Sequence, residues 1–244
     1  MKETNIRHVA SSTIHPSASA PVASPSLNDS SAATVDETTE ARWFFDGPLP
    51  AEVLTWFTNG GTAGVVEDRC DVYRIEEQPR VDVGVKYRNG ATLELKLRVR
   101  PPQPSTIGRD LDGWMESWQR WSPAGGRVDL GHQTTSVEVD KTIIKRRFAA
   151  NGGEVLLSAD ARAKTHQGCD VEIVSISVGD ATEWSFAFAA FGPSQHHQSL
   201  ATAWETLVSD QPKPDQLRLR RCNSKGYPEW LTGVKSGASA RELP

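Results

Sequence analysis

The chain has 244 residues, with 27 Lys and Arg against 31 Asp and Glu and a formal net charge of -4. That balance argues against a general nucleic-acid binder, which presents a basic face, and no stretch approaches the roughly 18 consecutive apolar residues of a membrane-spanning helix. Cys70, Cys169 and Cys222 lie far apart with no C-x-x-C spacing, so neither a disulfide framework nor a zinc site is indicated; a reducing, cytoplasmic compartment is the expectation.

The first 40 residues contain 22 Ser, Thr, Ala or Pro and no aromatic residue, whereas all 18 aromatics fall between Trp43 and Trp230. With little apolar surface to bury, the head has nothing to offset the backbone entropy of ordering it, about 1–2 kcal/mol per residue. Residues 1–42 are expected to be disordered, residues 43–231 to form one folded domain, and residues 232–244 to be a disordered tail.

Within the domain, "RWFFDG" reads as a short strand ended by Gly47 and Pro48, and "PAEVLTWF" as a helix with Val53, Leu54 and Phe57 at helical spacing. "RCDVYRIEE" alternates like a strand. The run "VDVGVKYRNGATLELKLRVRP" is two alternating segments joined at Asn89-Gly90, the dipeptide that favours a type I′ hairpin. "DGWMESWQRW" reads as a helix, because Trp114, Trp118 and Trp121 stand at i, i+4 and i+7. "SVEVDKTIIKRRF", "EVLLSADARA", "CDVEIVSISVG" and "EWSFAFAAF" follow as strands, "SLATAWETLVSD" as a helix, and "LRLRR" as a last short strand. Strands joined by hairpin turns, with only occasional helices, predict an antiparallel α+β domain of seven or eight strands.

Charge is unevenly placed. From Arg80 to Arg147 there are 13 Lys and Arg against 8 Asp and Glu; from Asn151 to Asp215 there are 3 against 9. Alternate residues of a strand share a face, so Leu93, Leu95, Leu97 and Val99 form one face of the hairpin. Glu94, Lys96 and Arg98 lie opposite them, joined by Lys86 and Arg88 from the partner strand. "KTIIKRRF" adds Lys141, Lys145 and Arg147 on one face, and "CDVEIVSISV" adds Glu172. Two arrangements suit this pattern. One is a solvated outer face with the leucines on the core. The other is a barrel closed around the charged face, where like charges held together call for a polyanion, matched by the planar Arg fork and the Lys point charge.

The series "GVKYRNGATLELKLR", "KTIIKRRF", "CDVEIVSISV" resembles the CYTH superfamily, the triphosphate tunnel metalloenzymes, over roughly Arg69 to Val178. The segments "FDGPLP" and "SKGYPEWL" are similar to bacterial proteins with the same tunnel-like middle. The resemblance implies an antiparallel β-tunnel of about eight strands with a few flanking helices. It further implies phosphate contacts from Lys86, Arg88, Lys96, Arg98, Lys145 and Arg147. Carboxylates at Glu94, Glu138 and Glu172 would hold a divalent metal, Mg²⁺ or Mn²⁺, that supports triphosphate hydrolysis. The family's E-x-E-x-K signature is absent from "RWFFDG". The function expected is binding of a phosphorylated or polyanionic small molecule in a charged tunnel, extending to metal-dependent hydrolysis. The alternative is a non-catalytic interaction or scaffold protein. No membrane partner is expected.

His196-His197 precede a helix and read as a loop pair, because adjacent residues face different ways. No Ser lies in a G-x-S-x-G elbow, and "NGGTAG" lacks the Lys of a P-loop.

Overall fold

A computed structural model describes residues 34–61, 63–75, 78, 80–107, 111–123, 135–157, 165–194, 196–209 and 211–237. The expectations for residues 1–33 and 238–244 lie outside these. The strands are β1 (Thr34–Asp46), β2 (Val65–Ile75), β3 (Val83–Arg88), β4 (Thr92–Arg98), β5 (Gln103–Ile107), β6 (Leu111–Ser122), β7 (Thr135–Ala149), β8 (Glu154–Val155), β9 (Gly168–Val178) and β10 (Ala181–Phe191). The helices are α1 (Ala51–Phe57), α2 (His196–Ser209) and α3 (Tyr227–Gly237), with a 3-10 turn at Arg221–Asn223.

Eight strands form a closed antiparallel barrel in the order β1-β10-β9-β7-β2-β3-β4-β6, and β6 pairs back onto β1 from Thr34↔Ser122 to Glu40↔Glu116. Closure leaves the barrel no free edge. β5 and β8 are short additions that pair with β6 and β7. The β3–β4 hairpin turns as expected: Asn89 and Gly90 have φ of 50° and 64°, the left-handed pair a type I′ turn needs. The Ala91 N–H donates to the Arg88 carbonyl at 3.1 Å.

Four expectations are corrected. The folded unit begins at least as early as Thr34, because residues 34–42 are the first part of β1. Asp112–Trp121 is strand β6, not a helix. "LRLRR" belongs to no strand; Leu217 and Leu219 are buried in an extended segment leading into the 3-10 turn. Residues 232–237, placed in the tail, continue helix α3.

The barrel is apolar on part of its outside and charged within. Trp43, Val171, Ile173, Phe186 and Phe188 point outward from β1, β9 and β10 into a core sealed by α1 (Val53, Trp56, Phe57) and α2 (Leu200, Ala203, Trp204, Leu207). The α2 positions recur at i, i+3, i+4 and i+7, one stripe of a helix. The leucine face of the hairpin also points outward: Leu93 is buried, but Leu97 and Val99 are 42 % and 38 % exposed.

A second apolar cluster lies inside the barrel at one end. Phe44, Tyr73, Ile75, Val139, Val174 and Ile176 project inward there and are met by Trp230 and Leu231 of α3. Trp230 stacks on Phe44 with ring centroids 5.1 Å apart and donates its indole N–H to Glu183 at 2.7 Å. Helix α3 therefore plugs this end. Among the described residues no helix is long and apolar enough to cross a membrane.

Candidate functional site

Between the plug and the opposite end lies a cavity of about 570 Å³. The strand alternation that turns Trp43 and Phe186 outward turns Glu40, Arg42, Ser185, Ala187 and Ala189 inward. β10 contributes only these small side chains along its middle, so space remains for the long charged ones facing it. Nine Lys and Arg and eight Asp and Glu line the cavity.

The hairpin cations all point inward. Lys86 Nζ donates to Asp71 Oδ2 at 3.0 Å and also reaches Glu94 at 3.2 Å, while Arg88 bonds Glu94 at 2.7 Å. Lys96 meets Glu40 at 2.5 Å and Arg98 meets Glu116 at 2.6 Å. From β7, Lys145 meets Glu172 at 2.8 Å, and Arg147 grips Asp170 with two nitrogens at 2.5 and 2.8 Å. All six expected phosphate contacts thus lie inside the barrel, each on a carboxylate.

The expected metal carboxylates do not come together. Glu94 on β4 holds Lys86 and Arg88, and Glu172 on β9 holds Lys145 and Arg42. Glu138 is paired across from Val72 on the outer face of β7 and is exposed, because it alternates with inward Val139 and Lys141. Among the described residues no group of three or more His, Cys, Asp and Glu is placed to hold a metal ion. A hard divalent cation needs several oxygens at once, so these carboxylates do not fit it, and no chemical step is routed through one.

Much of the site was missed in the sequence. Glu40 and Arg42 come from β1, Arg69, Asp71 and Tyr73 from β2, and Glu116, Trp118 and Arg120 from β6. Arg120 pairs with Asp36 near the start of β1. The alternation in "VDETTEAR" and "EDRCDVYR" was the available signal. The strand read from "RWFFDG" starts only at Arg42, at the end of the charged half of β1. His196 and His197 open α2, where His196 bonds Thr39 at 2.8 Å and the Gly192 carbonyl at 2.8 Å, a helix-anchoring role.

Dense pairing sets the electrostatics. Burial works against the charged forms of Glu40 and Glu172. Lys96 and Arg42 outweigh it at Glu40, and Lys145 and Arg42 at Glu172, so both carboxyls sit below their ordinary range. Glu94 follows the same logic: burial is overcome by Lys86 and Arg88, and its pKa falls to about 2. Lys86 goes the other way, lowered to about 8 by burial and by repulsion from Lys141.

No protein-family model matches the chain, and no curated protein is significantly similar to it.

Proposed function

We propose that the chain binds a phosphorylated or otherwise polyanionic small molecule inside the tunnel. The observation that carries this reading is the distribution of charge along the cavity. Asp36, Glu37 and Glu67 stand toward the open end, as do Lys145, Arg147 and Asp170, and Arg120 reaches Asp36. Setting these aside, with Glu116 taken by Arg98, leaves six lining bases deeper in, Arg42, Arg69, Lys86, Arg88, Lys96 and Lys141, against four carboxylates, Glu40, Glu94, Glu172 and the buried Asp71. Bases held in a confined space of low dielectric attract an anion more strongly than the same groups on a surface, and several are arginines, whose planar fork matches phosphoryl oxygens. The volume suits a ligand of small-molecule size. Hydrolysis would need a carboxylate set that the described residues do not gather, so binding is the activity proposed.

The test is a thermal-shift panel of inorganic phosphate, pyrophosphate, triphosphate and nucleoside triphosphates, with and without Mg²⁺ or Mn²⁺, alongside a phosphate-release assay. A ligand at a hundred times its Kd adds about 2.7 kcal/mol, which for a domain of this size raises Tm by roughly 5–10 °C. Arg88→Ala with Lys96→Ala should remove that rise while the protein still unfolds cooperatively. If no anion raises Tm and none is turned over, the binding reading is wrong and the scaffold reading stands.

A further inference from the structure

At the plugged end, one carboxylate is shared by three cations. Asp71 is fully buried (0 % exposed), and its Oδ2 accepts from Lys141 Nζ at 2.7 Å and from Lys86 Nζ at 3.0 Å, while Arg69 Nε lies 3.0 Å from Oδ1. Lys141, with a side chain 1 % exposed, also donates to Tyr73 Oη at 2.6 Å and lies 4.1 Å from the centre of the Tyr227 ring. The neighbouring acids do not cancel the surplus. Glu94 is also held by Arg88, Glu172 is shared by Lys145 and Arg42, and Glu67, which reaches Arg69, is half exposed. Arg69, Lys86 and Lys141 all line the cavity. Across the linked group, Arg42, Arg69, Lys86, Arg88, Lys141 and Lys145 share Glu67, Asp71, Glu94 and Glu172, six cations on four carboxylates, a surplus of two positive charges.

Granted the anion binding proposed above, we infer that this closed end is the seat of the ligand's doubly charged terminal group, a tetrahedral oxyanion of the phosphoryl type. It is held by Arg69, Lys86 and Lys141, and its arrival draws a proton into the tunnel. The rest of the ligand lies toward the open end.

Without an anion, the site sheds its surplus by losing protons. Burial, opposed by Asp71 and reinforced by Arg69 and Arg42, lowers Lys141 to about 7; burial and Lys141 lower Lys86 to about 8. With both lysines neutral, Arg69 and Asp71 remain as a balanced pair. A dianion favours the charged ammonium forms and raises both values. Both lysines already carry their protons below about pH 7, so affinity is greatest there. It falls as pH climbs through the interval from 7 to 8, by up to about tenfold per pH unit for each linked proton. The other groups facing the cluster hold their charge states near neutrality. Glu40 from β1, Asp71 from β2, Glu94 from β4 and Glu172 from β9 lie below the ordinary carboxylate range. Tyr73 from β2, Tyr227 from α3, Lys145 from β7 and Arg42 from β1 lie above their usual values.

The experiment is titration calorimetry with sulfate, which stays doubly charged across the range, in two buffers of different ionisation heat. It is repeated in a His166→Gln background to remove the cavity-lining imidazole. At pH 8 the wild type should take up more than roughly half a proton per sulfate, and at pH 6 close to none. Lys141→Arg keeps the charge without titrating near neutrality, so it should bind sulfate at pH 8 at least as tightly as the wild type with clearly less proton uptake; Lys86→Arg should remove the remainder. Sulfate binding at pH 8 without proton uptake, or with uptake unchanged in both arginine variants, overturns the inference and leaves anion binding intact. Triphosphate binding without any sulfate binding removes the seat for a lone dianion. Absence of binding by every anion sinks the proposed function itself.

Discussion

Glu40 and Glu116 stand opposite each other where β1 and β6 close the barrel, both directed inward. Like charges directly across a sheet are destabilising, and each is given its own cation, Lys96 for Glu40 and Arg98 for Glu116. The outcome is asymmetric. Glu40 is held below its ordinary range because Lys96 and Arg42 overcome burial, whereas at Glu116 burial prevails over Arg98, Glu40 adds to it, and the carboxyl is pushed up.

Glu40→Gln should therefore cost about 1–2 kcal/mol at pH 7, the penalty of leaving Lys96 without its charged partner in a half-buried site. The folded-state pKa of Glu40 is lowered, so its stabilising contribution is full above the usual value of 4.5 and is lost as pH falls below it. Urea unfolding of the variant and the wild type should differ at pH 7 and draw together as pH is taken progressively below 4.5. A difference that persists unchanged in acid would contradict the ion-pair origin.

Glu94 and Glu138, grouped together by the sequence reading, should behave oppositely. Glu94→Gln leaves Lys86 and Arg88 facing a neutral amide and should cost on the order of 2 kcal/mol at neutral pH. With the Glu94 pKa at about 2 in the fold, that cost should fade as pH drops from 4.5 toward 2. Glu138→Gln lies on the exposed outer face and should stay within about 0.5 kcal/mol of the wild type. Its effect on any triphosphate-induced rise in Tm should be nil.

Trp230→Ala should destabilise by about 3–5 kcal/mol, the usual range for deleting a buried tryptophan. The residue is 5 % exposed, stacked on Phe44 and bonded to Glu183. Chemical denaturation gives the number. Loss of the plug should also show as faster hydrogen exchange of α3 amides, whereas a decorative helix would leave the barrel's stability untouched.

Gly113→Ala tests how tightly β6 packs against the first strand. A Cβ there would meet Trp43 Cζ2 at 2.5 Å, and Trp43 is 1 % exposed, with no room to yield. An overpacking cost of about 1–3 kcal/mol is expected in thermal or urea unfolding.

The hairpin was legible because Asn89-Gly90 fixes a turn with two left-handed residues and strict alternation does the rest. Lys86, Arg88, Lys96 and Arg98 could then be put on one face, though which face looked inward was decided only by closure through Glu40 and Glu116. β6 was misread for a definite reason. Trp114 and Trp118 are four apart, a spacing that keeps residues on one face in a helix and in a strand alike, so the pair cannot tell the two periods apart. Trp121 could: it lies on the other face of the strand and is 37 % exposed, whereas Trp118 is 1 % exposed. The first half of β1 was hidden because its inward residues, Asp36, Thr38, Glu40 and Arg42, are polar, and the apolar contrast that marks a half-buried strand is missing. "LRLRR" alternates and is buried, yet no strand edge remains in a closed barrel for it to join.

Among the described residues, α3 fills one end of the tunnel, so it is shaped more like a sac than a pipe. For the proposed anion this means that a chain-like guest such as a long polyphosphate would offer an end to the sac and leave its remainder outside in the water.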